Sequence, residues 1–477
     1  MGKDKPDKFI FSIVVWYAAA FLIVVLSFIF LVYSSDLTYW AKPLLSKVLT
    51  FTLLEIFAGT VFVLSFVVGS KILNDKKIIW LIILSGFAAR IILIPSQPVL
   101  EDDYNRYIWD GAVVANGINP YKYSPLEIGK DSTSSKIEIQ TLHKLSREAD
   151  KIFTRINYPE VRTIYPVISQ IFFAVSYIIS GWTLLGWRII SLLADIVTLM
   201  LLLVILKKLK LPFGLSAIYW LNPVVLTQFF NAGHMDVLIF PFILGSVWFL
   251  LNHWENVSSF FLALAAAVKV WPIVLFPIMY RNYFKQKLKI IVLLSIPIVV
   301  LSILYTPVLL TKLDNSLGFV RYAGNWYNND AVFWLVSLSV NFVHSLFSSQ
   351  IICAHCIARY IVFGLYMIFM VFIIWKPVEN NPDLLERILL SVTVLFFLSP
   401  TEFPWYYTWI LPFLVFRPRL SLLLYPILLP LYELQNLWQN VVWFEHIPII
   451  ILFVYELRNK DKFNLFKFNL NVSLGKK

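Results

Sequence analysis

Apolar residues in this chain gather into long runs separated by short charged or Gly/Pro-containing stretches, and the length of the runs decides what they are. The runs are 9–33, 47–69, 78–95, 163–180, 185–206, 213–230, 235–251, 258–279, 288–310, 331–348, 353–375, 385–398, 407–431 and 441–457. Most match the roughly 18 to 25 residues that a helix rising about 1.5 Å per residue needs to cross a hydrocarbon core about 30 Å thick. Lipid offers backbone amides no partner outside the helix itself, so such runs are helical spans. The pattern predicts an all-α, multi-spanning transmembrane protein of about 12 to 14 helices. It reads as one transmembrane domain over 1–457 with a basic C-terminal tail over 458–477. The first run is too long for a signal-peptide core and lacks a small-residue cleavage site, so it is expected to stay as a first helix.

One polar interruption is long, the segment 96–162, rich in charged and aromatic residues. It is expected to fold as a partly helical segment against the membrane surface. No internal repeat or low-complexity tract is evident, which gives no support to an inverted-repeat transporter.

Composition strengthens the membrane reading: 59% of the 477 residues are hydrophobic and 14% charged, too few to cover a soluble globule. The net charge of +12 arises from 40 Lys and Arg against 28 Asp and Glu. In a soluble chain that balance would raise nucleic acid as a partner; here loop cations orient the spans and meet anionic headgroups, and no nucleic acid is expected. With the basic N-terminus inside, strict alternation puts Lys71, Lys76, Lys77, the 281–289 cluster and the tail inside and the 96–162 loop outside, whereas Lys207, Lys208 and Lys210 fall on the outer side. The only cysteines, Cys353 and Cys356, give no disulfide framework. Their CxxC spacing around His355 suggests a redox or zinc motif, but no second ligand pair follows and no metal site is expected.

Candidate chemistry concentrates where the third run meets the long loop. Glu101, Asp102 and Asp103 stand together, followed by Tyr104-Asn105-Arg106-Tyr107-Ile108-Trp109-Asp110-Gly111 and by Gly117-Ile118-Asn119-Pro120-Tyr121. Three adjacent carboxylates repel one another and need a cation, a raised pKa or a substrate proton. Such a group suits a general base. On a helix Asp103, Arg106 and Asp110 share a face, bringing a base, a phosphate-binding cation and a second carboxylate together. The plain alternative is a helix start whose acids complement the dipole.

Further along, ionisable residues interrupt apolar runs, where they must face a cavity or a partner. Asp195 follows Arg188 on one helical face, as a structural pair or a substrate-site wall; His234 and Asp236 sit between two runs, in a site or a capping turn. Lys269 has no acid near it in sequence, and a lipid phosphate or an interface would satisfy its ammonium. The stretch 321–328 joins Arg321 to aromatic rings and amides, fit for phosphate and sugar hydroxyls or for an interfacial aromatic belt.

The ordered set of Glu101-Asp102-Asp103-Tyr104, Gly117-Ile118-Asn119-Pro120-Tyr121, Thr163-Ile164-Tyr165-Pro166, Leu221-Asn222-Pro223, Gly233-His234-Met235-Asp236, Lys269-Val270-Trp271-Pro272, Arg321-Tyr322, Ser399-Pro400-Thr401 and Pro404-Trp405-Tyr406 resembles the membrane glycosyltransferases of the GT-C superfamily. It is most similar to the bacterial polyprenyl-phosphate-mannose-dependent transferases and to the catalytic subunit of the first mannosyltransferase of glycosylphosphatidylinositol assembly. The likeness runs over most of the chain and departs at Glu101, which stands where the latter subunit carries the first Asp of an Asp-x-Asp-Tyr motif.

The resemblance implies an inverting transfer of a hexose, expected to be mannose, from a polyprenyl-phosphate carrier to an extracytoplasmic glycan or glycolipid acceptor, at the plasma (inner) membrane. Asp103 would be the general base and Glu101 its orienting or metal-binding partner, with Asp102 as the alternate. Arg106, Lys269 and Arg321 would serve the leaving phosphate, and Tyr107, Asp110, Tyr121, Tyr165, His234, Asp236, Trp405 and Tyr406 the substrates. No cofactor is required, although paired carboxylates would accept a divalent cation. The rival readings are a transporter or flippase of a lipid-linked saccharide and a non-catalytic scaffold subunit. Alternation places Gly233–Asp236 and Pro404–Tyr406 on the side opposite the acids, a conflict that broken helices at Asn222-Pro223, Pro272 or Pro404 would relieve.

Overall fold

The structure is a computed structural model, described here for residues 5–130, 136–347 and 353–459. The tail beyond 459 and the first four residues lie outside the described residues. Its helices of eight or more residues are α1 (Lys5–Ser34), α2 (Leu45–Gly69), α3 (Lys76–Leu93), α4 (Asp103–Ala115), α5 (Ile137–Ala149), α6 (Val167–Ser180), α7 (Leu185–Leu209), α8 (Ile239–Leu251), α9 (Glu255–Val268), α10 (Lys287–Leu304), α11 (Gly318–Asn325), α12 (Ala331–Phe347), α13 (Ala354–Ile374), α14 (Asn381–Phe397), α15 (Leu420–Leu428) and α16 (Val441–Arg458). Among the described residues there is no strand, only three isolated bridges. The chain is an all-α, multi-spanning membrane protein.

Among the described residues five helices are long and apolar enough to cross a bilayer: Phe9–Ser34, Leu45–Ile72, Leu185–Leu209, Lys287–Leu304 and Ala354–Ile374. The pair Phe213–Trp220 and Pro223–Asn231, bent by 49°, makes a sixth when its two pieces are counted as one broken span. The break falls at Asn222-Pro223, where the Asn222 side chain caps the second piece by accepting from the Val224 amide at 3.0 Å. Proline has no N–H to continue the first piece, so the helix ends there and restarts. The run 258–279 likewise breaks, since α9 stops at Val268 and a 3-10 turn over Trp271–Leu275 follows. The run 407–431 is divided into short helices around Pro412, Pro426 and Pro430.

Hydrogen bonds between elements sort the helix ends into two faces. At one, the Gly214 amide donates to the Leu73 carbonyl at 2.9 Å, Lys208 Nζ to Asn252 Oδ1 at 2.8 Å, Arg281 Nη2 to the Trp375 carbonyl at 2.9 Å and Arg417 Nε to Glu386 at 2.8 Å. At the other, Arg188 at the start of α7 donates to the carbonyls of Leu93 and Ser96, beside the acidic loop. Lys207, Lys208 and Lys210 therefore share a face with Lys71, Lys76 and Lys77, correcting the simple alternation. The miscount lies in the run 163–180: its helix α6 lies against α4 of the long loop, with Tyr107 stacked on Phe173 at 4.6 Å, and does not carry the chain to the cationic face. Gly111 makes this approach, since a Cβ there would stand 2.2 Å from the Phe173 carbonyl oxygen.

Two polar pairings differ from expectation. Asp195 pairs with Arg90 at 2.5 Å rather than with Arg188, and also accepts from the Tyr219 hydroxyl; Arg90 further donates to the Gly86 and Trp220 carbonyls. Arg188 spends its guanidinium on backbone carbonyls instead. Both arginines are buried, and these bonds replace the water that their charges lost. Cys353 and Cys356 are joined in a disulfide at the start of α13, the pairing that the redox reading of their CxxC spacing allows.

Candidate active site

A cavity of about 1550 Å³ opens at the face opposite the cationic one, and the three carboxylates line it. They sit between α3 and α4, after Leu100, whose backbone is left-handed with φ +52°. A leucine rarely adopts this conformation, and the Leu100 amide is pinned by the Leu37 carbonyl at 2.8 Å. The turn lets Glu101 fold back so that its Oε1 accepts the amides of Asp102 and Asp103, both at 2.9 Å. Asp103 then opens α4, and the four unpaired amides of a helix start favour an acid there.

One side chain ties the other two carboxylates together. Asn157 Nδ2 donates to Asp102 Oδ1 at 2.9 Å and to Asp103 Oδ1 at 2.8 Å. Across the acids, His234 Nε2 lies 3.3 Å from Glu101 Oε2, an ion-pair separation without the alignment of a hydrogen bond. The three acids consequently differ. Burial pushes Glu101 up, but the facing charge of His234 and the two amides outweigh it and hold its pKa below the usual range. Burial, with the charges of Glu101 and Asp103, lifts Asp102 to about 7. Burial and the charge of Glu101 lift Asp103 to about 6. One fixed anion beside two carboxyls whose pKa values are lifted toward neutrality is an arrangement able to take up a proton there. Carboxylate oxygens of the three acids lie within 4.8 Å of one another, so they fit a divalent cation in spacing; Asn157 and the two amides already occupy part of their lone pairs.

The opposite wall comes from segments distant in sequence. Lys269, just past the end of α9, meets Asp236 at 2.6 Å and lies over the rings of Tyr406 at 4.1 Å and Trp409 at 4.9 Å. Trp409 Nε1 donates to the same Asp236 oxygen at 2.5 Å. Trp405 stacks on His234 with centroids 3.7 Å apart, and the Tyr406 hydroxyl bonds that of Tyr322 at 2.6 Å. Gly233–Asp236 and Pro404–Tyr406 thus stand on the side of the acids, which corrects their placement by alternation.

Other sequence candidates scatter. Arg106 lines the cavity, but its Nε is committed to Asp110 at 2.8 Å and its Nη1 to the Val161 carbonyl at 3.0 Å. Asp110 accepts from Gln170 at 3.0 Å and does not line the cavity, so the shared helical face gives an ion pair and not a convergence on Asp103. Tyr107 and Tyr165 line the wall, whereas Tyr121 lies behind it, its hydroxyl donating to the Tyr165 carbonyl at 2.7 Å. Arg321 pairs with Glu160 at 2.9 Å and is not among the lining residues, while its neighbour Tyr322 is. Asn157, Trp409 and Arg359 are lining residues that the sequence did not single out. Arg359 carried a usable signal, a cation within the apolar run 353–375; Asn157, an amide in a polar loop, carried none.

At the apolar end the cavity runs between α13 and α14, lined by Tyr360, Phe363, Tyr366, Leu395 and Leu398, with Tyr360 78% exposed and Phe363 63% exposed. Arg359 stands at the junction of this slot with the polar chamber, donating to the carbonyls of Ala323 at 3.1 Å and Trp326 at 2.5 Å, with its Nε buried and unpartnered.

An all-α bundle of apolar helices around one large cavity, with three carboxylates in its wall, is the architecture of a multi-spanning membrane protein that carries a candidate reaction centre. The family whose model matches residues 13–284, more than half of the chain, is the alpha-(1->6)-mannopyranosyltransferase family, through its N-terminal domain. The chain belongs to this family, and its reaction is mannosyl transfer. No curated protein and no solved structure matches it.

Proposed function

We propose that the protein transfers mannose from a polyprenyl-phosphate carrier to a glycan or glycolipid acceptor, with inversion, on the extracytoplasmic side of the plasma (inner) membrane. The observation that carries this reading is the continuity of one cavity from the acids to the apolar slot at α13 and α14. A lipid-linked donor needs both at once: a water-accessible reaction centre and a hydrocarbon-accessible channel for its tail. Arg359 stands between them, where a phosphodiester would lie, and its guanidinium suits that anion better than Arg321, which Glu160 already neutralises.

In the proposed step the acceptor hydroxyl attacks the anomeric carbon, its oxygen forming the new bond as the bond from carbon to phosphate oxygen breaks. The hydroxyl proton passes to Asp103, and polyprenyl phosphate leaves with the bonding pair. Glu101, held by the amides and His234, keeps the acidic loop in place, and Asp102 shares Asn157 with the base. Cations at Arg359 and Lys269 oppose the charge growing on phosphate. A single displacement turns a β-linked donor into an α product, in keeping with the family's name. The step needs no cofactor, and a divalent cation bound by the acids would act only as an additional Lewis acid.

Orientation is supported by charge. Lys71, Lys76, Lys77, Lys207, Lys208, Arg281 and Arg417 gather on the face away from the acids, and such cations prefer the cytoplasm. The Cys353–Cys356 disulfide is near Arg359 on the acidic side, as an oxidising compartment would allow. The test is reconstitution in lipid with polyprenyl-phosphate mannose and mannoside acceptors, comparing wild type with Asp103→Asn. Transfer surviving that change would remove Asp103 as base; movement of intact donor without transfer would favour a transporter.

A further inference from the structure

The cavity wall is exposed at a second place, aromatic like the slot but on other segments. Tyr39 and Trp40, in the connection between α1 and α2, and Tyr158, in the loop before α6, line it as rings 41 to 50% exposed. Tyr158 packs edge-on against Trp326 at 4.4 Å, and Arg155 lies 5.6 Å above the Trp40 ring. Tyr158 is held at φ +46°, a left-handed conformation that a tyrosine adopts only when its surroundings impose it. The residue before it is Asn157, whose amide bridges Asp102 and Asp103. One strained turn thus sets both the clamp on the carboxylates and a half-open aromatic ring at the mouth.

We propose that Trp40 and Tyr158 form the acceptor subsite, and that it takes a saccharide of hexopyranose units by stacking. This rests on the transferase reading of the cavity. A donor whose tail fills the slot between α13 and α14 blocks that entrance, so the acceptor must arrive through the aromatic mouth. The C–H face of a pyranose is apolar and weakly positive, and it complements the negative face of an aromatic ring. Rings that served only as a membrane belt would meet headgroups and would have no reason to line the reaction chamber. The juxtaposition of Tyr158 with Asn157 places a stacked sugar next to the carboxylates that must receive its hydroxyl proton.

The test uses the full-length protein in lipid nanodiscs with polyprenyl-phosphate mannose and two acceptors, octyl α-mannoside and the octyl glycoside of an α-(1→6)-linked mannotetraose. Trp40→Ala and Tyr158→Ala should each raise the KM for the tetraose about tenfold, while the KM for donor stays within twofold. Tyr158→Phe and Trp40→Phe, which keep a ring, should restore the acceptor KM. An unchanged acceptor KM in both alanine variants, or an equal rise in donor KM, overturns the proposal. Trp40→Ala that lowers only the yield of membrane-inserted protein identifies a belt residue and overturns it too. Tryptophan fluorescence titrated with the tetraose, with no donor present, should lose a saturable component in Trp40→Ala. That readout needs no turnover, so an inactive wild type that still binds the tetraose would sink the donor assignment and leave the subsite standing, whereas no saturable difference would sink the subsite.

Discussion

Lys269 and Asp236, 33 positions apart, meet at 2.6 Å in the wall of the reaction chamber, with the ammonium against the faces of Tyr406 and Trp409. The Lys269 side chain is 20% exposed and that of Asp236 2%. Asp236 is cut off from bulk water and Lys269 meets it only through the chamber, so each stabilises the other at close range.

Removing one partner should therefore be worse than removing both. Lys269→Met leaves Asp236 with the Trp409 N–H alone, and the cost of a stranded buried charge is about 3 to 5 kcal/mol. The double change Lys269→Met with Asp236→Asn should recover most of that loss. Thermal unfolding of detergent-solubilised protein, followed for the two single variants and the double, measures the coupling; additive losses would show that the two side chains do not support one another.

A second prediction follows from the three unlike acids. Asp103 must be deprotonated to act as base, and its pKa is lifted to about 6, so kcat/KM should fall tenfold per pH unit below about 6 and level off above it. Asp103→Asn should lower turnover by about 10²- to 10⁴-fold and abolish this limb. Stability moves the other way. A carboxyl whose pKa is raised by folding favours the folded state at low pH, and that contribution is lost as pH rises through the folded value. Asp102→Asn should accordingly raise the melting temperature more at pH 8 than at pH 4.5, since Asp102 is lifted to about 7. A melting temperature unaffected by pH in the comparison with wild type would contradict the crowding of the acids.

These features were unevenly legible in the sequence. Five long spans followed from run length because a bilayer imposes one dimension on every helix, whereas the expected 12 to 14 did not all appear as single long helices, since several runs are shortened or broken. The break at Asn222-Pro223 followed because proline ends a helix locally. The acids stood out because three carboxylates in a row are chemically conspicuous. What escaped depends on contacts between distant segments: Asp195 with Arg90, 105 positions away, and Asn157 with Asp102, 55 positions away. The helical spacing of Arg188 and Asp195 suggested a local pair, yet carbonyls of the α3 end and of the stretch Phe230–Asn231 claim the arginine. Alternation misplaced Lys207, Lys208 and Lys210 because α6 is as apolar as a span but packs on the long polar loop.

Arg359 and Arg321 offer a contrast between a lining and a paired cation. Arg359→Gln should raise the KM for polyprenyl-phosphate mannose at least tenfold, with Arg359→Lys intermediate because an ammonium cannot present two parallel N–H groups to a phosphodiester. Arg321→Gln removes a half-exposed pair with Glu160 and should change the same KM less than threefold. Equal effects of the two glutamine substitutions would remove Arg359 from the donor site.

The face on which the chamber opens can be tested through the cysteines, because Cys353 and Cys356 are the only two in the chain and are bonded to each other. In intact cells a membrane-impermeant maleimide should leave the protein unlabelled until a membrane-impermeant phosphine reduces the bridge. Both thiols should then react without permeabilisation, because the start of α13 lies on the side of the acids. Lys208→Cys, introduced into a Cys353→Ser, Cys356→Ser background, sits on the opposite face, hydrogen-bonded in the native protein to Asn252. That thiol should react only after the cells are opened. The reverse pattern, with position 208 labelled from outside and the reduced pair protected, would turn the protein over in the membrane and place mannosyl transfer on the cytoplasmic side.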